Sequence, residues 1–298
     1  MPGAGPGRPA TLNRLKRLVR AASYLVKRAI AGIDRKTGLV SLLLTPYIAR
    51  RLRNAGLREV LDILFSDSLI GMLYKPMQIR EELEEFLDLI KSKYPEGPKR
   101  VLEVGTAYGG TLLVWTRVCS DDAVIVSIDL PGGPFGGGYP PLRKLIYRRF
   151  ARGRQKIVLI RGDSHDLKVL NTVRRIFGNS GADMLFIDGD HSYEGVARDF
   201  KWYGSLVRDG GVIALHDIAD GPPKNVGGVP KFWRALVEGL EGLGLSRAGV
   251  ADVKEIVRGG ARGYGIGVLV VRRMSKVSVI TPTPPSTASL RVEASLPH

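Results

Sequence analysis

The chain has 298 residues, 44% of them hydrophobic and 25% charged, with one cysteine and a formal net charge of +16. That length and apolar content suffice for a buried core, while a single Cys119 rules out an intramolecular disulfide framework or a cysteine-built metal cage and suits a buried thiol. No apolar run approaches the ~20 residues of a bilayer-spanning helix, and the N-terminus lacks the apolar core of a secretory signal, so the expected compartment is the cytoplasm.

The charge is concentrated at the start. Residues 1–60 hold 13 Lys and Arg against only Asp34 and Glu59, a balance of +11, which leaves +5 for the other 238 residues. Residues 1–10, rich in Gly and Pro, are expected to be disordered, and 11–75 to form a basic helical extension. From Leu12 to Ile33 the apolar positions Leu12, Leu15, Leu18, Val19, Ala22, Leu25, Val26, Ala29, Ile30 and Ile33 recur at helical spacing, with Arg14, Lys16, Arg17, Arg20, Lys27 and Arg28 on the other face. Such a helix suits peripheral contact with anionic lipid at the inner face of the membrane, or nucleic acid. It equally suits a core or dimer partner with its basic face in water, and a homo-oligomer is expected. Pro46 limits any helix between Leu39 and Ile48.

Residues 76–273 alternate helical and strand patterns. A helix is expected over Gln78–Lys93, stopped by Pro95 and Gly97-Pro98. Strands are expected at Arg100–Val104, Ala123–Asp129, Lys156–Arg161, Met184–Asp188, Gly211–His216, Val253–Val257 and Gly267–Val271, with helices at Gly110–Val118, Leu167–Phe177, Tyr193–Val207 and Val229–Leu240. A glycine-rich turn around Arg258–Gly265 joins the last two strands as a long hairpin. The expected fold is α/β: a Rossmann-like, doubly wound, seven-stranded, mostly parallel sheet with an antiparallel last strand, plus the N-terminal helical extension. The Pro- and Thr-rich residues 274–298 read as a disordered tail.

Polar clusters close successive strands, and in an open parallel sheet the carboxyl ends of strands converge on the ligand crevice. After the first strand the chain reads Gly105-Thr106-Ala107-Tyr108-Gly109-Gly110. This is not the Gly-x-Gly-x-x-Gly turn that lets backbone approach a pyrophosphate. With Glu103 just before it, the turn better suits the amino-acid head of S-adenosylmethionine. Asp129 at the second strand tip is placed to accept ribose hydroxyls, and Asp163-Ser164 after the third to meet the adenine amino group. Taken singly, such glycines are usually turns and such aspartates helix caps; their ordered recurrence makes the case.

The run from Arg100 to Leu236, under half the chain, resembles the class I S-adenosylmethionine-dependent methyltransferases, in the branch of the cephalosporin-biosynthesis methyltransferases and macrocin-type sugar O-methyltransferases. The marks are Leu102-Glu103-Val104-Gly105-Thr106, Asp188-Gly189-Asp190-His191-Ser192-Tyr193-Glu194, Asp199, Gly210-Gly211 and His216-Asp217-Ile218. The resemblance implies donor contacts from Glu103, Gly105, Thr106, Gly109, Gly110, Asp129, Asp163, Ser164 and Asp188. It also implies a divalent metal, Mg²⁺ or another, held by Asp188, His216 and Asp217. His216 stands where a carboxylate is usual, and imidazole favours softer metals than Mg²⁺. His191, three residues after Asp188, matches a proposed base, so Asp188 and His191 are the expected catalytic pair. His165 reads as structural.

Acceptor choice is least specified. Residues 131–141 form a Gly/Pro stretch followed by Arg143, Lys144, Arg148, Arg149, Arg152, Arg154 and Lys156, which reads as a lid with a cationic helix or as a mobile loop with a solvated face. The loop Asp220–Asn225 is expected to form the opposite wall. The favoured function is O-methylation of a hydroxyl on a sugar, glycan or other small molecule. The alternatives are RNA or DNA methylation using the basic N-terminus, and donor binding without catalysis. The fourth strand ends Ile187-Asp188-Gly189-Asp190 and lacks the Asn/Asp-Pro-Pro-aromatic motif of base-amine methylation.

Overall fold

The strands are apolar at consecutive rather than alternate positions, the pattern of a sheet covered on both faces. In the computed structural model, which describes residues 8–133, 138–243, 249–260 and 264–272, they form one sheet. Its strands are β1 (Arg100–Val104), β2 (Val124–Asp129), β3 (Lys156–Arg161), β4 (Ala182–Ile187), β5 (Val207–His216), β6 (Val250–Ile256) and β7 (Ile266–Val271). The order is β3-β2-β1-β4-β5-β7-β6. β1 to β5 pair in parallel, and β7 runs antiparallel between β5 and β6. The chain has the expected Rossmann-like fold, and the strand order reverses between β1 and β4.

Neighbouring residues along each strand feed opposite cores. Val101, Ile125, Met184 and Val212 join the first; Leu102, Val126, Leu185 and Ile213 join the second. The second is closed by α9 (Leu167–Phe177), α10 (Tyr193–Gly204) and α12 (Val229–Leu243), through residues such as Leu170, Phe200 and Trp233. β5 begins at Val207, four residues before the expected Gly211, because a register shift against β4 and the left-handed Gly210 (φ 72°) let the strand start early and bend.

The first core is closed by α6 (Arg80–Lys93), α7 (Gly110–Val118) and α8 (Arg143–Arg148), and also by N-terminal helices. α1 (Arg8–Thr37) begins inside the segment expected to be disordered. It is followed by α2 (Leu39–Leu43), α3 (Thr45–Leu52), α4 (Leu57–Leu64) and α5 (Leu69–Tyr74). Pro46 limits the helix as expected: α2 ends at Leu43, and Pro46 lies in the first turn of α3, where its missing N–H has no intrahelical partner to lose. Ile48, Leu52, Val60, Leu64 and Tyr74 share one buried cluster with Trp115 and Met184, so these helices are part of the sheet's own core. Residues 1–7, 134–137, 261–263 and the expected tail 274–298 lie outside the described residues, as do the side chains of Leu12 and Leu15.

Arg143, expected on a solvated cationic face, is instead fully buried. Its Nη2 and Nε donate to Asp34 Oδ2 at 2.7 and 3.1 Å, and its Nη2 also donates to the Leu73 carbonyl at 3.2 Å. Asp34, also fully buried, accepts Ser41 N–H at 2.8 Å and Ser41 Oγ at 2.6 Å, while Tyr74 OH donates to Ser41 Oγ at 2.6 Å. One buried polar network thus fastens α1, α2, α5 and α8 together. Cys119 is buried, as expected.

Candidate active site

A cavity of about 250 Å³ opens at the carboxyl ends of β1, β2, β3, β4 and β5, at the strand-order reversal where such sheets bind ligands. Its floor is set by backbone. Gly105 has φ 100°, and a Cβ there would run into the Asp188 carbonyl, so only glycine lets the β1 and β4 ends approach this closely. Asp188 N donates to Val104 O at 2.8 Å and Gly105 N to Ile128 O at 2.9 Å.

Of the residues expected to touch a donor, Gly105, Asp129, Asp163, Ser164 and Asp188 line the cavity. Glu103, Thr106, Gly109 and Gly110 lie behind its wall. Glu103 is fully buried and accepts Trp115 Nε1 at 2.8 Å and Ser127 Oγ at 2.5 Å, and Ser127 Oγ also meets Thr106 Oγ1 at 2.5 Å. Burial pushes the Glu103 carboxyl up to about 7, against those hydrogen bonds. It ties α7 and β2 beneath the loop. Gly109 (φ 78°) and Gly110 serve packing: a Cβ on either would strike Tyr147 or the backbone of Tyr74 and Pro76.

Asp129 closes β2 with Oδ1 accepting Gly138 N–H at 2.9 Å, while its buried Oδ2 has no hydrogen-bond partner. An unpaired buried carboxylate oxygen is costly unless a ligand or water completes it. Burial accordingly raises its carboxyl to about 7.

Four side chains gather on the β4 and β5 side. His216 Nδ1 lies 3.1 Å from Asp188 Oδ1 and 3.2 Å from Asp217 Oδ1; His191 lies with Nε2 3.4 Å from Asp188 Oδ1 and Nδ1 3.2 Å from Asp217 Oδ2. His191 Nδ1 is also 2.5 Å from the Asn225 carbonyl, which assigns the proton to Nδ1 and leaves Nε2 as the basic nitrogen of the neutral ring. Burial opposes charge on His191, but the hydrogen bond and charge of Asp188, with the charge of Asp217, outweigh it and lift the imidazole to about 9. His216 is raised well above its ordinary value by the same carboxylates, against complete burial. Asp188 is held below the usual carboxylate range by His216 and His191, again against burial. Asp217 sits at φ 63°, a conformation that is strained for a residue with a side chain.

The metal set expected from sequence was Asp188, His216 and Asp217, and a second grouping lies beside it. Ligand atoms of Asp188, His191 and Asp217 lie within 4.8 Å of one another. His216 bridges the two carboxylates at hydrogen-bond distances, and its other nitrogen, Nε2, is buried without a partner.

Gln78, Glu82 and Tyr264 gave no signal in the sequence, whereas Asn225 belongs to the loop expected to form a wall. Gln78, just before α6, donates from Nε2 to Asp188 Oδ2 at 2.7 Å, across 110 positions of sequence. Asn225, in the short helix α11 (Pro223–Val226), and Tyr264 line the wall that the 220–225 loop was expected to form, and Asn225 Nδ2 donates to Tyr264 OH at 3.0 Å. The hairpin carrying Tyr264 is clamped by the buried Glu82, which accepts the N–H groups of Arg258 and Gly265 at 2.9 and 3.1 Å. His165, expected to be structural, does line the cavity, yet its Nε2 is turned away to the Gly195 carbonyl at 3.2 Å and lies 3.3 Å from the buried Asp199. It acts as the mate of that carboxylate.

Fold and cavity define a class I methyltransferase architecture, and comparison with known proteins agrees. Residues 102–218 match the family described as a methyltransferase domain. A Klebsiella pneumoniae protein assigned as an O-methyltransferase has the same fold, with a TM-score of 0.51 and 17% identity over 77% of this chain and 96% of that one. The O-methyltransferase TomG of Streptomyces achromogenes, involved in tomaymycin synthesis and solved with SAM, is similar at TM-score 0.48 and 20% identity, over 77% and 96% of the two chains. The mycinamycin-pathway methyltransferase MycE, solved with Mg, SAH and mycinamycin VI, gives 0.48 and 16%, over 76% of this chain and 58% of that one. Among curated proteins, the uncharacterized protein R132 of Acanthamoeba polyphaga mimivirus is 49% identical over 41 residues, 14% of this chain and 19% of that protein.

Proposed function

We propose that the chain is an S-adenosylmethionine-dependent O-methyltransferase acting in the cytoplasm on a hydroxyl of a sugar, glycan or other small molecule. The observation that carries this reading is one cavity with two chemically distinct ends. One end has the unpaired buried oxygen of Asp129 beside Gly105, Asp163 and Ser164; the other has the Asp188, His191, His216 and Asp217 cluster. The first suits a nucleoside with ribose hydroxyls to donate, the second an acceptor hydroxyl that must lose a proton.

A methylsulfonium is already a strong electrophile, so the protein's work is to align donor with acceptor and remove the acceptor proton. His191, with its Nδ1 proton committed to the Asn225 carbonyl, would take that proton on Nε2. Asp188 and Asp217 would stabilise the resulting imidazolium, and Gln78 would steady Asp188.

The donor set also fits a divalent cation. Two carboxylates balanced by two imidazolium groups can exchange those protons for one dication, which would be held by Asp188 and Asp217 and would supply positive charge to a developing alkoxide. The mixed oxygen and nitrogen set favours Mn²⁺ or a softer ion over Mg²⁺.

Asp129→Ala should remove two charge-assisted hydrogen bonds to the ribose and weaken donor binding by roughly 2–3 kcal/mol. Calorimetry with S-adenosylhomocysteine checks this, and unchanged affinity would remove Asp129 from the donor site.

A further inference from the structure

The amino-terminal part of α1 has apolar residues that nothing in the described fold covers. Leu18, Val19, Leu25, Val26 and Ile33 are 58% to 62% exposed. At ~100° per residue these five, with Ala22 and Ala29, span an arc of about 120°, and Lys16, Arg17, Arg20, Lys27 and Arg28 fall outside it. The residues that seat the helix on the body, Ala31 and Asp34, belong to the basic side, as does Lys27, whose Nζ donates to the Asp67 carbonyl at 3.0 Å. The apolar arc therefore faces away from the protein, the reverse of a helix that covers a core. Exposure continues beyond the helix at Leu39, Leu43 and Tyr47, which are 49%, 78% and 60% exposed.

Charge narrows what can cover this face. The first 33 residues hold seven Lys and Arg and no acidic residue before Asp34. A second copy of the helix would answer the apolar stripe but bring two uncompensated cationic helices together. Nucleic acid would answer the charge and leave the stripe in water. A bilayer surface containing anionic lipid answers both, because the acyl boundary accepts the apolar arc while headgroups pair with the flanking Lys and Arg. No helix among the described residues is long and apolar enough to cross a membrane, which leaves lying in the surface as the available mode.

We propose that α1 docks the protein onto anionic membrane surfaces, with Leu18, Val19, Leu25, Val26 and Ile33 inserted and the basic residues against lipid headgroups. The proposal is independent of the reaction the cavity catalyses.

The test is co-sedimentation of the full chain with vesicles of phosphatidylcholine alone and of phosphatidylcholine with phosphatidylglycerol, at about 0.15 M salt, where only close charges interact. The wild type is expected to sediment with the anionic vesicles only. A Val19→Ser, Val26→Ser, Ile33→Ser variant should remain in the supernatant. A Lys16→Gln, Arg17→Gln, Arg20→Gln variant should bind on the order of 100-fold more weakly, at roughly fivefold per basic residue. Both variants should keep the wild-type circular dichroism and melting temperature. Wild-type protein left in the supernatant, or equal binding to neutral vesicles, would overturn the proposal. So would full vesicle binding by the serine variant, which would reduce the contact to polyanion attraction of the kind nucleic acid also gives. A wild-type dimer that the serine substitutions dissolve, with no vesicle binding, would assign the stripe to a second copy instead.

Discussion

Replacing His191 with alanine is expected to lower the methyl-transfer rate by about 10²–10⁴, the usual contribution of a positioned base, while leaving donor affinity unchanged. The geometry behind this is specific: Nδ1 is committed to the Asn225 carbonyl, and Nε2 lies 3.4 Å from Asp188 Oδ1. Because Asp188 and Asp217 hold the imidazole up to about 9 against the effect of burial, the neutral base grows with pH, and activity measured in chelator should rise towards pH 9. That rising limb should vanish in His191→Ala. The sign for stability is opposite. A folded value raised above the ordinary 6.5 means that the imidazolium's stabilisation is complete below about 6.5 and lost as pH rises through about 9. Cation addition separates two roles. If His191→Ala binds Mn²⁺ as tightly as the wild type, His191 is the base alone; if cation affinity falls with activity, His191 is a ligand, as the 4.8 Å cluster allows. Asp217→Asn should be inactive under either assignment and still bind the donor. Full activity of His191→Ala would remove it from the chemistry.

Asp34→Ala should cost about 3–5 kcal/mol of stability, the loss seen when one member of a buried ion pair is removed and its partner is left charged. Asp34 and Arg143 are both fully buried and meet at 2.7 Å, so the alanine would strand a guanidinium among α1, α5 and α8 with no compensating anion. For a chain of this size that corresponds to a melting temperature lowered by roughly 10 °C. Asp34→Ala with Arg143→Met should recover part of the loss, since the stranded charge is gone. A single variant within ~1 kcal/mol of wild type in urea denaturation would show that the pair does not fasten the N-terminal helices.

The contrast between these two sites explains what could be read from sequence. Asp188, His191, His216 and Asp217 were legible because each lies within a few residues of a strand end, and topology alone carries strand ends to one crevice. The strands themselves were legible because Val101-Leu102 or Leu185-Phe186-Ile187 are continuous apolar runs of strand length. Gln78, Tyr264 and the function of Glu82 were not, since each acts across more than 100 positions or from a turn whose placement depends on the finished fold. Arg143 misled for the same reason: in sequence it is one basic residue among seven, and only the arrival of Asp34, 109 positions earlier, makes burial possible. Glu103 and Gly109-Gly110 sit in the motif but support the loop from behind, a distinction that spacing does not encode.

The central claim, that the crevice between β1 and β4 is a methyl-donor site, is tested most directly by titrating the purified protein with S-adenosylhomocysteine in a calorimeter. Saturable one-to-one binding, weakened by Asp129→Ala and preserved in His191→Ala, is the predicted result. Absence of binding heat in the wild-type protein across a range of temperatures and pH would contradict it.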